Sequence, residues 1–167
     1  MVPIERLWNG LNNPVTLERR RRLYVAGDMV PTRHGKFCYK VLSGCIGLAR
    51  DDRFSVNTTF IAAVRAGGYF GLESHRNVRR EHTAVAMIKT VTERVYLTEE
   101  IIATLLAEES QWYRELEEMY ATRMIKNRLR IAEQRLGATC IDNTMMAQYI
   151  GSSRELLSKF RPRRCAS

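Results

Sequence analysis

Residues 65–86 read RAGGYFGLESHRNVRREHTAVA. Gly67, Gly68 and Gly71 come first, and His75, Arg76, Arg79, Arg80 and His82 follow. Bare backbone N–H groups and cationic side chains can meet around one anion, so this order of residues can cradle a phosphate. The same residues also describe a turn followed by a solvated basic loop. A second cluster stands near the C-terminus: Ser153-Arg154-Glu155, then Lys159, Arg161, Arg163 and Arg164. Nothing in the chain assembles a nucleophile with a base and an acid, a P-loop or a paired-carboxylate site. No catalytic residue is expected, and binding is the chemistry on offer. His34, His75 and His82 lack metal-ligand spacing, so no metal site is expected either.

The charge distribution points the same way. The 167 residues carry a net charge of +9. Met1–Thr122 holds 17 Lys+Arg against 15 Asp+Glu, a net of +2, whereas Arg123–Ser167 holds 10 against 3, a net of +7. A short segment with most of the excess positive charge suggests a polyanion partner, of which nucleic acid is the commonest. A merely solvated basic face is the alternative. No apolar stretch is long enough to span a bilayer. The N-terminus lacks the apolar core and cleavage site of a secretory signal. Cys38, Cys45, Cys140 and Cys165 are scattered without a CxxC, which fits a reducing, cytoplasmic setting. Cys38 and Cys45 fall on adjacent expected strands and are expected to be structural thiols that could approach each other.

The elements that must position these groups change type along the chain. Short runs end at Gly or Asp turns: Leu23–Asp28, Phe37–Leu42, Cys45–Arg50 and Phe54–Val64. Thr83–Leu97 alternates loosely through Val85, Met87, Val91, Val95 and Leu97. Such spacing predicts an antiparallel sandwich or barrel. At Thr98 the period becomes helical, with Glu99 and Glu100 in the first turn. Ser110 to Leu136 contains neither Gly nor Pro and reads as a long helix, either continuous or broken near Asn127. Tyr113, Leu116, Tyr120, Met124 and Ile131 form one apolar stripe; Ile125, Leu129, Ala132 and Leu136 form another. Such a helix is longer than a small β-domain can cover, so part of its stripe is expected to face a second copy. Folding back on its own domain is the other outcome. Gly137 is the expected C-cap. Asp142 or Asn143 then caps a short helix, Gly151 turns, and Ser152–Glu155 fits a capping box opening a second one. Two short helices joined at a glycine are a helix-turn-helix signature.

This order of parts resembles the Crp/Fnr family of transcription regulators. Tyr24-Val25-Ala26-Gly27-Asp28 resembles the family's entry into its β-roll, and Tyr39–Leu48 its strand pair around a Ser-Gly turn. Gly67-Gly68-Tyr69-Phe70-Gly71 is similar to its glycine corner, and Ile150–Glu155 to the start of its recognition helix. The Phe70-Gly71-Leu72 triplet and the long-helix region also resemble IprA-type members. The resemblance covers roughly residues 20–160 and implies an α+β fold. Its expected parts are an antiparallel, cyclic-nucleotide-binding-like β-roll over 1–97, a connector and dimerisation helix over 98–137, and a helix-turn-helix over 138–167 that lacks a complete wing.

The resemblance also implies roles. In nucleotide-binding members a Glu follows the corner and an Arg-Ser or Arg-Thr pair holds the phosphate. Here Leu72 stands at the Glu position and His82-Thr83 at the pair. Leu72 accepts no hydrogen bond, and an imidazole does not replace a guanidinium fork. A cyclic nucleotide is therefore not expected, and no cofactor is assigned. Gly71, Glu73, Arg80, His82 and Thr83 remain candidates for some other small ligand. Ser153, Arg154, Glu155 and Lys159 are the implied DNA-reading residues, with Arg154 suited to bidentate contact with guanine. Arg161, Arg163 and Arg164 are expected on phosphates. Tyr113, Leu116, Tyr120 and Met124 are the expected dimer seam. Double-stranded DNA, a second copy of the chain and RNA polymerase are the implied partners, with no membrane. The rival expectation is a ligand-sensing or protein-interaction module that dimerises through the long helix without binding DNA.

Overall fold

The computed structural model describes residues 20–32, 36–49, 59–71, 82–137 and 141–161. Among them eight strands form two four-stranded antiparallel sheets. One has the order β1-β8-β3-β6 and the other β2-β7-β4-β5. The strands are β1 Arg21–Tyr24, β2 Met29–Val30, β3 Phe37–Ser43, β4 Cys45–Ala49, β5 Phe60–Arg65, β6 Tyr69–Phe70, β7 Thr83–Ala86 and β8 Thr90–Tyr96. The helices are α1 Glu99–Ala121, α2 Ile125–Leu136, α3 Asn143–Ile150 and α4 Arg154–Ser158. The fold is α+β, a β-roll followed by helices.

The alternation of β4 shows how the layers meet. All five of its residues are buried. Ile46 and Leu48 turn into the roll, with Ala62, Val64, Ala84 and Ala86. Cys45 and Ala49 turn outward, with Val85, into a cluster completed by Met119, Leu129, Leu136, Met146, Tyr149 and Leu157 from the four helices. Side chains alternate across a strand, so a sheet covered on both faces needs apolar residues at every position. Gly47 and the alanines of β5 and β7 keep those layers close.

The β3–β4 turn depends on Gly44. Its φ is +90°, and a Cβ there would lie 2.4 Å from Thr90 Oγ1. Thr90 Oγ1 accepts from the Cys45 N–H at 3.1 Å. Its own hydroxyl proton has the Ile88 carbonyl within reach at 2.8 Å. This bridge separates β7 from β8. Thr83–Leu97 is therefore two strands in different sheets rather than one alternating run, with a bend over residues 87–89.

Thr98 caps α1 as expected, its hydroxyl accepting from the Ile101 N–H at 3.3 Å. The first half of α1 packs on Cys38 through Leu105, Ile101, Ile102 and Leu106. The long helix breaks over residues 122–124, a turn earlier than Asn127. There the Arg128 Nε donates to the Thr122 carbonyl at 2.7 Å and satisfies an acceptor that the interrupted helix leaves open. Beyond the break α2 turns back on α1. The Arg135 Nη1 donates to the Glu115 carbonyl at 2.6 Å, and its Nη2 pairs with the Glu118 carboxylate.

Candidate nucleic-acid interface

Asp142 opens α3, its Oδ1 accepting from the Met145 N–H at 2.9 Å. Met145 to Ile150 are all buried, so α3 serves as the base of the unit. Gly151 follows with φ +65°, and the Ser152 N–H closes the turn on the Ala147 carbonyl at 2.9 Å. The N-cap of α4 is Ser153, whose Oγ accepts from the Leu156 N–H at 3.2 Å. Ser153 rather than Ser152 is thus the cap, and with Leu156 at the third helical position the expected capping box does not form. Glu155 sits in the first turn, where its own N–H and the Ser153 hydroxyl hold its carboxyl below the usual range.

The register decides what α4 shows to solvent. Leu157 is fully buried and anchors the helix, while Ser153, Arg154, Glu155, Ser158 and Lys159 are exposed. These exposed groups combine a guanidinium fork, an ammonium, hydroxyls and one carboxylate, a set able to meet base edges and phosphates.

Arg161 does not belong with them. It is only 8% exposed. Its Nη1 donates to the Ile141 carbonyl at 2.6 Å and to Asn143 Oδ1 at 3.3 Å, and its Nε pairs with Glu133 Oε1 at 3.3 Å. Asn143 Nδ2 returns a bond to the Arg161 carbonyl at 3.3 Å. The guanidinium expected on a phosphate is instead a staple joining α2, α3 and the end of α4. Arg163 and Arg164 lie outside the described residues.

At the glycine corner Gly71 is buried with φ +94°, close to the Tyr39 ring and the Thr32 carbonyl. Thr32 Oγ1 donates to the His82 carbonyl at 3.4 Å. Thr32 therefore stands between Gly71 and His82. His82 and Thr83 are both buried. Leu72, Glu73, His75 and Arg80 lie outside the described residues. The roll interior beside the corner holds Tyr39 stacked on Phe70, ring centroids 5.3 Å apart.

The expected dimer stripe is split by the fold. Leu116 and Tyr120 pack against the buried cluster of this chain. Tyr120 lies over Gly151 and under the Arg128 guanidinium, 5.0 Å from its ring centroid. Met124 is 63% exposed, and Tyr113 is half-buried outside the three buried clusters. Cys38 and Cys45 are free thiols in different sheets and different clusters, so they do not approach each other. Burial lifts their pKa values to about 11 and about 12. Among the described residues no group of His, Cys, Asp and Glu could hold a metal ion, and no helix is long and apolar enough to cross a membrane.

A β-roll, a long helix packed along it, and a helix-turn-helix docked at its end together define the architecture. It is the fold of the CRP/FNR-family transcriptional regulators. TTHA1359, a transcriptional regulator of that family from Thermus thermophilus, is 26% identical, with 84% of this chain and 82% of that chain covered at a TM-score of 0.65. TTHB099, a CRP-family regulator from the same organism, is 17% identical over 83% of this chain and 81% of its own at 0.67. FixK2 from Bradyrhizobium japonicum is 16% identical over 84% and 81% at 0.63. No protein-family model matches the sequence. No curated protein matches it either.

Proposed function

We propose that this protein is a sequence-specific DNA-binding transcriptional regulator that acts as a homodimer and whose β-roll does not grip a cyclic nucleotide. The observation that carries the reading is α4, anchored by Leu157 and capped by Ser153, with Arg154, Glu155 and Lys159 left in solvent. Arg154 reads a guanine, Lys159 meets a base or phosphate, and Ser153 and Glu155 set the start of the helix while meeting the groove. Arg163 and Arg164 add phosphate contacts. Tyr113 and Met124 supply the part of the dimer seam that the chain does not use itself. Residues 98–137 then connect the β-roll of 1–97 to the DNA-binding unit of 138–167, and RNA polymerase is the partner through which such a regulator acts. At the corner, a leucine and a histidine replace the carboxylate and guanidinium that hold a nucleotide. Gly71, Glu73, Arg80, His82 and Thr83 are left to some other small ligand.

The experiment is selection of bound duplexes from a random pool by the purified protein. A two-fold symmetric motif with half-sites about one helical turn apart supports a homodimeric reader. Recovery of no motif overturns the reading and favours a module that works without DNA.

A further inference from the structure

Five of the ten cations in Arg123–Ser167 lie outside the helix-turn-helix, in and just before α2: Arg123, Lys126, Arg128, Arg130 and Arg135. They share that stretch with one acid, Glu133. The contrast with α1 is sharp, because α1 holds seven glutamates and a single arginine. A surface that only needs solvation mixes both signs, whereas here they are segregated onto two neighbouring helices.

The cations of α2 divide by direction. Arg128 and Arg135 turn towards α1, where the first lies over Tyr120 and the second donates to Glu115. Glu133 turns the other way and holds Arg161 at the end of α4. Residues three and four apart stack on one helix face. Lys126, Arg130 and Glu133 are spaced four and three apart, so they form one ridge of α2, the face whose Glu133 meets Arg161. Lys126 and Arg130 are exposed, and neither forms an ion pair among the described residues. The one acid of the ridge is already neutralised by Arg161. Two uncompensated cations therefore share a face of α2 with the residue that holds Arg161.

We infer that Lys126 and Arg130 bind phosphates of duplex DNA and form a second contact ridge outside the helix-turn-helix. This rests on the DNA-binding reading above and extends its footprint. An ammonium and a guanidinium on one helix face suit backbone oxygens, which carry charge but no base identity. The ridge therefore adds affinity and salt dependence without adding sequence preference.

The test measures the affinity of the wild-type protein, Lys126→Gln/Arg130→Gln and an Arg114→Gln control from α1. Each is titrated with the duplex selected by the wild type and with a scrambled duplex across a salt series. Each lost phosphate contact lowers the slope of log affinity against log salt by about 0.9, so the double variant should lose about 1.8 per protomer. For the homodimer on its two half-sites the slope falls by about 3.6, which between 50 and 200 mM salt makes its loss of affinity about 150-fold smaller than the wild type's. Its preference for the selected duplex over the scrambled one should stay unchanged, and Arg114→Gln should behave as wild type. A double variant with the wild-type slope overturns the ridge and leaves the DNA-binding reading standing. So does a slope change seen equally in Arg114→Gln. A wild-type protein that binds neither duplex overturns both.

Discussion

Arg154 and Arg161 are seven residues apart and carry the same side chain, yet the fold leaves one in solvent and buries the other. Replacing Arg161 with alanine separates the two roles. The substitution leaves the Ile141 carbonyl without its donor in a residue that is 1% exposed. An orphaned buried acceptor costs about 1–3 kcal/mol. The pair with the half-exposed Glu133 adds less than about 1 kcal/mol. The buried methylenes of Arg161 add about 1 kcal/mol more. The expected loss is about 3 kcal/mol, which for a chain of this size lowers the Tm by about 6–12 °C. Urea unfolding should show a lower midpoint at unchanged slope. Arg161→Lys should recover little of the loss, because one ammonium cannot span the Ile141 carbonyl and the Glu133 carboxylate as the fork does. Below its unfolding transition, Arg161→Ala should keep the wild-type salt slope on DNA. A variant as stable as the wild type, within about 0.5 kcal/mol, but with a slope reduced by about 0.9, would refute the staple and restore Arg161 to the phosphates.

Two further outcomes follow from the packing. Gly151→Ala places a Cβ 2.6 Å from the Tyr120 ring at φ +65°, so it should lose about 1 kcal/mol for the left-handed backbone and more for the displaced ring. A thermodynamic cycle with Tyr120→Ala should recover only the second part, and strict additivity would contradict the contact. Stability should also fall in alkali. Cys38, Cys45 and Tyr149 have folded pKa values raised by burial to about 11, about 12 and about 12, above ordinary values of 9.0, 9.0 and 10.0. The unfolded chain loses these protons first, so their contribution is complete below pH 9 and disappears between pH 9 and 12. Unfolding free energies should be level from pH 7 to 9 and fall beyond, with a shallower fall in Cys45→Ala; an equal fall in that variant would contradict the assignment.

How far the sequence could be read depended on whether the deciding contacts were local. β3 and β4 are legible because alternation and the Ser43-Gly44 turn lie within a few residues. The caps Thr98, Asp142 and Gly151 are legible for the same reason. The division of 83–97 is not, because Val85, Met87, Val91 and Val95 keep the alternation while Thr90 bonds across to Cys45. The helix break at 122–124 carries no Gly or Pro, and Arg128, six residues on, supplies its partner. Two adjacent serines could each cap α4, and the Ser152 N–H, bound to Ala147, leaves the role to Ser153. Arg161 resembled a phosphate ligand because its partners Glu133 and Ile141 are 28 and 20 residues away in sequence. Leu116 and Tyr120 formed a free stripe only until α2 and α3 folded onto them.

The central claim is that α4 reads DNA through Arg154, and the ratio of affinities for selected and scrambled duplex measures it directly. At fixed salt, Arg154→Ala should reduce that ratio by about 5- to 150-fold for each half-site, the equivalent of one bidentate base contact of about 1–3 kcal/mol in each protomer. Stability should change by less than about 0.5 kcal/mol, since the side chain is exposed. An Arg154→Ala protein that discriminates as well as the wild type would contradict the claim.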